Sequence, residues 1–100
     1  MTFGARGSGK STFRTWTVHI GIGERDGRTH ATADLHTDSE VAMSGAGTAY
    51  LSPRYDAGPE VGDELAVARA LFDLAQVLVQ RAAVDVADSM RSQDDLEQAR

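Results

Sequence analysis

One hundred residues, 41% of them hydrophobic, make one small domain, and no apolar run is long enough for a membrane span or a signal peptide, so we expect a cytoplasmic protein. The chain has no cysteine, which excludes disulfides, thiolate metal sites and a cysteine nucleophile. Beyond residue 14 it carries seven basic and fifteen acidic residues, and this net charge of −8 repels phosphate backbones at long range.

Residues 1–14 are rich in glycine, serine and threonine, and we expect them to form a flexible N-terminal arm. Within this arm, Gly4–Ser11 matches the phosphate-loop pattern G-x-x-x-x-G-K-S, in which backbone amides and a lysine hold a nucleotide's phosphates. A working loop follows a buried strand and opens a helix, whereas a strand-like segment follows here. Nucleotide binding through Lys10 is therefore a remote alternative to a mobile tail.

Two strands with a tight turn between them are predicted next. From Thr15 the residues alternate strictly, which places one apolar set on the inner face: Trp16, Val18, Ile20 and Ile22. The polar turn 24–27 ends in Asp26-Gly27, a strong hairpin signal. The second strand runs from 28 to about 37, with Ala31, Ala33 and Leu35 facing inward. A two-residue turn would place Ile22 opposite Ala31, and a four-residue turn would shift the pairing by two, so the register stays open.

A third strand is predicted over Val41–Leu51, after a short turn at residues 38–40. Its inward set is Val41, Met43, Gly45, Gly47, Ala49 and Leu51. The two glycines would either let the helix approach closely or mark a bulge. Residues 52–62, which hold both prolines, then cross to the helix.

One long helix dominates the rest of the chain. Apolar residues recur at spacings of three and four, and we expect this stripe to lie on the sheet: Leu65, Ala68, Leu71, Phe72, Ala75, Leu78, Val79 and Ala82. The helix is expected to begin at Gly62 or Asp63, and Phe72 and Leu78 to tolerate alanine worst. Arg69 and Asp73, one turn apart, are expected to pair. Residues 89–100 form a polar tail that either continues the helix or frays.

These elements predict an α+β domain over residues 15–88, in which a three-stranded antiparallel sheet packs on one long C-terminal helix. Several short runs carry a resemblance beyond this pattern: Trp16–Val18, Asp26–Arg28, Leu51–Pro53, Gly58–Ala66 and Ala68–Leu71. Through them the chain resembles a family of small uncharacterised actinobacterial proteins over nearly the whole domain. It departs from the family pattern at Ser52, where asparagine is usual, and in one extra residue around Tyr55.

The resemblance implies a β-β-β-α domain like a double-stranded-RNA-binding domain without its first helix, a homodimer, and a shape similar to ribosome hibernation factors. The resemblance to that type of domain does not lead us to expect direct binding of duplex RNA by this chain. Domains of that type contact phosphates with lysines at the start of the final helix, where this chain has Asp63 and Glu64. The glycine-rich arm also stands where the first helix would be.

No catalytic constellation is evident, so we expect a non-enzymatic protein without a cofactor. The three histidines, His19, His30 and His36, all fall on the outward side of the first two strands. In one register His19 lies opposite Asp34, which would suit a metal ion or a pH-sensitive pair. Exposed histidine on a strand is more often a polar surface residue, and no metal site is predicted.

The sheet face away from the helix is the predicted interaction surface, because its residues are small or weakly polar. The candidates are His19, Thr32, Asp34, His36, Ser44, Thr48 and Tyr50. This face or an unpaired edge strand would form the dimer contact, and an ordinary solvated face is the alternative. The first functional hypothesis is a stress- or dormancy-related factor acting on the ribosome through ribosomal proteins. The second is a protein-interaction module unrelated to translation.

Overall fold

The computed structural model describes residues 11–38, 40–50 and 58–98, and for Pro59 the backbone alone. Four elements follow one another: β1 (Thr17–Arg25), β2 (Arg28–Thr37), β3 (Glu40–Tyr50) and α1 (Pro59–Gln98). The strands form one antiparallel sheet in the order β1-β2-β3. This confirms the predicted α+β class. Residues 4–10 of the phosphate-loop match and residues 51–57 before the helix lie outside the described ranges.

The turn between β1 and β2 has two residues. Asp26 and Gly27 have φ angles of 53° and 73°, the left-handed conformation that a type I′ hairpin turn needs at both central positions. The turn sets the register, in which Ile22 lies opposite Ala31 and Val18 opposite Leu35. Of the two registers left open by the sequence, the structure therefore has the one without the shift.

A bulge interrupts the pairing of β2 with β3. Leu35 lies opposite Met43, but the next residue, His36, lies opposite Val41, so Ala42 is an extra residue on β3. An extra residue reverses the alternation of faces on the bulged strand. Val41 consequently shares the outward face with His36 and is exposed, and its predicted inward position was wrong.

The helix packs on β2 and β3 through small residues. Ala66, Ala70 and Leu74 are buried, and they cover the inward residues of the sheet, Ala31, Ala33, Leu35 and Ala49. A Cβ atom on Gly45 would lie 2.5 Å from the Ala70 carbonyl oxygen and 2.8 Å from the Leu74 Cα, and one on Gly47 would meet the backbone of Ala66 and Ala70. The glycines therefore let the helix backbone approach the strand, and the bulge lies elsewhere, at Ala42.

The predicted helix stripe does not lie on the sheet. Phe72 and Val79 are each 67% exposed, while Ala66 and Ala70 on the other side of the helix are fully buried. The reason is the close approach: only small side chains fit between the helix and the two glycines of β3. Phe72 is thus not a core residue, contrary to its predicted sensitivity to alanine. Leu78 is half-buried and packs at the margin of the core.

Helix α1 begins earlier than predicted and extends beyond the residues that pack on the sheet. It starts at Pro59 rather than Gly62 or Asp63, because the fixed φ of proline suits the first turn, and the Val61 amide donates to the Gly58 carbonyl at 3.1 Å. Its 40 residues span about 60 Å, and residues 79–98 are all exposed. Where the helix leaves the sheet, Met43, Val77 and Val84 border an open depression of about 250 Å³. No helix in the described ranges is long and apolar enough to cross a membrane.

Candidate protein-interaction surface

The sheet face that α1 leaves uncovered is called here the outer face. Cross-strand pairing places Thr32 beside Ala46 near its centre, and Arg28 beside Tyr50 at one end. The seven residues predicted for interaction all lie on this face: His19, Thr32, Asp34, His36, Ser44, Thr48 and Tyr50. The period-two alternation of the three strands accounts for their common orientation.

Two side chains on neighbouring strands hold each other at the middle of the outer face. The Ser44 hydroxyl donates a hydrogen bond of 2.7 Å to Oδ1 of Asp34. These residues are direct cross-strand partners, so the bond needs no distortion of the sheet. The hydrogen bond favours one rotamer of each side chain before any partner arrives.

A second pair extends this row toward the Tyr50 end. Nδ1 of His30 lies 3.4 Å from the Thr48 hydroxyl, and the two residues are again direct cross-strand partners. His30 was recognised as outward-facing but was not among the predicted interaction residues. Its partner Thr48 could be identified only once the register was known, because no local pattern in the sequence reports which threonine lies across the strand.

The remaining two histidines stack at the opposite end. The ring centroids of His19 and His36 are 4.4 Å apart, with the rings tilted by 40°. His19 also lies opposite Asp34, as expected for the unshifted register. Nevertheless, the described residues include no group of three or more histidine, cysteine, aspartate or glutamate side chains placed to hold a metal ion. The arrangement is an aromatic and polar patch at this end of the face.

The helix also closes part of the outer edge of β3. Asp73 accepts a 2.9 Å hydrogen bond from the Ala46 amide, and the Arg69 guanidinium donates one of 2.6 Å to the Thr48 carbonyl. The predicted ion pair between Arg69 and Asp73 was wrong, since in the described part of the chain the ion pair that forms is Arg91 with Asp88. Each of the two side chains instead satisfies an edge-strand backbone group that would otherwise face solvent.

The opposite half of the sheet is open on both sides. All nine residues of β1 are exposed, and its inward residues Val18 and Ile20 remain 39% and 38% accessible because α1 lies over β2 and β3. Trp16, just before β1, is exposed as well. The predicted inward side of β1 is therefore correct in direction but largely without cover.

Comparison with known proteins gives one family. A family model described as Rv2632c-like matches residues 14–95. The uncharacterized protein Mb1767 of Mycobacterium bovis is 44% identical over 71 residues, which are 71% of this chain and 74% of the relative. The uncharacterized protein Rv2632c of Mycobacterium tuberculosis is 40% identical over 73 residues, 73% of this chain and 77% of the relative. The crystal structure of Rv2632c is similar with a TM-score of 0.72 at 37% identity, covering 81% of this chain and 95% of that chain.

Proposed function

The chain belongs to the Rv2632c-like family, and from that premise we propose that it is a non-enzymatic cytoplasmic domain that binds a protein partner on its outer face. The single observation that carries the proposal is the row of side chains that pair across the strands there, Asp34 with Ser44 and His30 with Thr48. Side chains that are ordered before binding lose less conformational entropy when a partner arrives.

The chemistry of the face favours protein over nucleic acid. Between the histidines and Tyr50 it presents hydroxyls, alanine and one carboxylate that Ser44 already hydrogen-bonds, a mixture that can be buried against another protein surface. Asp34 sits at its centre and is already hydrogen-bonded, so a phosphate backbone would meet a negative charge. Asp63 and Glu64, early in α1 on the other side of the sheet, add to the net negative charge that repels phosphate at long range.

Site-specific photocrosslinking in living cells tests the outer face directly. A photoreactive amino acid at position 32 lies at the centre of the face, and the same residue at position 98 lies at the exposed distal end of α1 as a control. We expect a defined adduct with another protein from position 32 and none from position 98. Equal labelling from both positions, or none from position 32, would contradict the proposal.

Within this proposal the ribosome is the partner that the family resemblance suggests, in a stress- or dormancy-related role, with ribosomal proteins as the contact. The likeness of fold to RNA-binding domains and hibernation factors remains a prediction. Gradient co-sedimentation with ribosomes from the source organism, at low and physiological salt, tests it. We expect the unmodified protein and Gln98→Lys to co-migrate and Thr32→Lys to remain at the top, because partners that are themselves basic are repelled by the new charge.

If the unmodified protein stays at the top of the gradient, the ribosome is not the partner. The outer face would then serve an interaction unrelated to translation, and the adduct from position 32 would identify that protein. The two experiments therefore separate the use of the face from the identity of the partner.

A further inference from the structure

Four of the nine large apolar residues that are exposed on α1 follow a seven-residue repeat. Leu65, Phe72, Val79 and Val86 are seven apart, and a small residue follows each of them after three positions: Ala68, Ala75, Ala82 and Ser89. These eight residues are called the heptad stripe. Spacings of three and four sustained over four heptads are the pattern of a helix that packs against another helix.

The heptad stripe cannot be covered by the sheet of its own chain. A helix turns by about 100° per residue, so positions 66, 70 and 74, which pack on the sheet, lie on the side opposite the stripe. Phe72, Val79 and Val86 are accordingly 67%, 67% and 59% exposed. An amphipathic helix at the surface of a small domain has one apolar face. This helix has two, and its own sheet covers one of them.

We infer that the heptad stripe packs against the same stripe of a second copy of this chain, with the two helices antiparallel. The sequence had pointed to the outer face or an edge strand for a dimer contact. The helix pairing instead uses the side of the molecule remote from the outer face, which stays free for a different partner. The inference therefore does not rest on the proposed function.

The sizes of the residues in the heptad stripe favour a second copy of this chain as the partner and an antiparallel direction of the two helices. We place the two-fold axis at the level of residue 77, midway between Ala75 and Val79. Phe72 then faces the partner's Ala82, and Val79 faces the partner's Ala75. Every large residue of the stripe then meets a small one, which gives evenly filled layers. In a parallel pair, Phe72 would face Phe72 and Ala75 would face Ala75, so crowded layers would alternate with hollow ones.

The flanking charges are compatible with this register. Arg69 comes to lie near the partner's Ala83, and Glu64 near the partner's Ser92. Asp85 lies near the partner's Leu71. No like charges meet along the flanks of the described helix, although the domain as a whole is acidic.

The contact also has the size of a dimer interface. From Leu65 to Ser89 the stripe runs for 25 residues, about 36 Å of helix. Its exposed side chains with their flanks present on the order of 700 Å², close to the roughly 800 Å² per partner of a standard interface. Residues 79–98 are all exposed, and a helix without tertiary packing is only marginally stable. Antiparallel pairing lays residues 82–89 of each chain over residues 65–72 of the other.

Sedimentation of the full chain over a concentration series tests the dimer, with two matched valine variants. Val79→Glu places a charge in the heptad stripe, whereas Val84→Glu places the same charge on the opposite side of the overhanging helix, at a position that is 55% exposed. We expect a dimer for the unmodified chain and for Val84→Glu, and dimerisation weakened by about 100-fold or more for Val79→Glu, because a buried charge would be left unpaired. Circular dichroism confirms that each variant is folded.

A monomer at all concentrations for the unmodified chain would overturn the inference, as would equal effects of the two variants. The direction is tested by cysteine crosslinking, which is clean because the chain has no cysteine. In the antiparallel pair Gln76 lies beside the partner's Gln76, so Gln76→Cys should be joined by a short bismaleimide, and Ser89→Cys should not. Crosslinking of Ser89→Cys alone would indicate parallel helices and overturn the stated register.

Discussion

Replacing Gly45 by alanine tests the close approach of helix and strand on which the core depends. The added Cβ would meet the Leu74 backbone nitrogen, with the Leu74 Cα at 2.8 Å and the Ala70 carbonyl oxygen at 2.5 Å. Ordinary contact for a Cβ atom begins at about 3.4 Å. The obstacle is helix backbone, which cannot rotate aside as a side chain can, so α1 has to withdraw by roughly 1 Å.

The loss in the free energy of unfolding follows from the core packing that this withdrawal of α1 disturbs. Overpacking a filled interior typically costs about 1–3 kcal/mol, and the contact with backbone places this case at the upper end. Alanine in a strand recovers about 0.5–1 kcal/mol relative to glycine. We therefore expect Gly45→Ala to lower the free energy of unfolding by about 2 kcal/mol, or Tm by roughly 8–16 °C.

Urea denaturation at one fixed protein concentration measures this effect, since self-association would make stability depend on concentration. Gly23→Ala is the control, because it lies on β1 and nothing stands within 4 Å of its added Cβ. That variant should be neutral or slightly stabilised. Equal midpoints for the two variants would refute the argument that the helix rests on the glycines.

Two further predictions concern the side chains of α1. Leu74, only 5% exposed, should lose about 2–4 kcal/mol of unfolding free energy as Leu74→Ala, whereas Leu96→Ala, at an exposed position, should change it by less than about 0.5 kcal/mol in the same urea assay. Asp73→Ala should accelerate hydrogen exchange at the Ala46 amide, and Asp73→Asn should do so less because its carbonyl oxygen can still accept the bond. Unchanged exchange in Asp73→Ala would mean that the contact does not protect the edge.

The hairpin was readable from the sequence because its signals are local. Alternation fixed the two faces of β1 and β2, and Asp26-Gly27 is a pair that adopts positive φ readily. The outer-face residues followed from the same alternation. The bulge at Ala42 was not readable, since nothing in the neighbouring sequence marks the extra residue, and it moved Val41 to the other face.

The prediction of which side of α1 faces the sheet was wrong for a different reason. Periodicity reports that a helix has an apolar side, but it does not report what covers that side. The heptad stripe is the stronger pattern because its residues are larger. The residues that pack on the sheet nevertheless form the weaker pattern, Ala66, Ala70 and Leu74. The signal that could have decided the matter was the match between small residues four apart on the helix and Gly45 and Gly47 on β3. The contacts of Arg69 and Asp73 with the β3 edge depend on that placement and could not be inferred without it.

The covered edge of β3 limits how copies of this chain can join through their sheets. Growth of a sheet into a filament needs two free edges, one to donate and one to receive, and at Ala46 and Thr48 the backbone is already bonded to α1. Strand addition is thereby directed to β1, whose nine residues are open. Two copies that meet through their β1 edges form a symmetric pair in which the joined sheet has no free β1 edge left to extend. Asp73 and Arg69, the two side chains of α1 that bond the edge of β3, thus also oppose edge-to-edge assembly of the sheets.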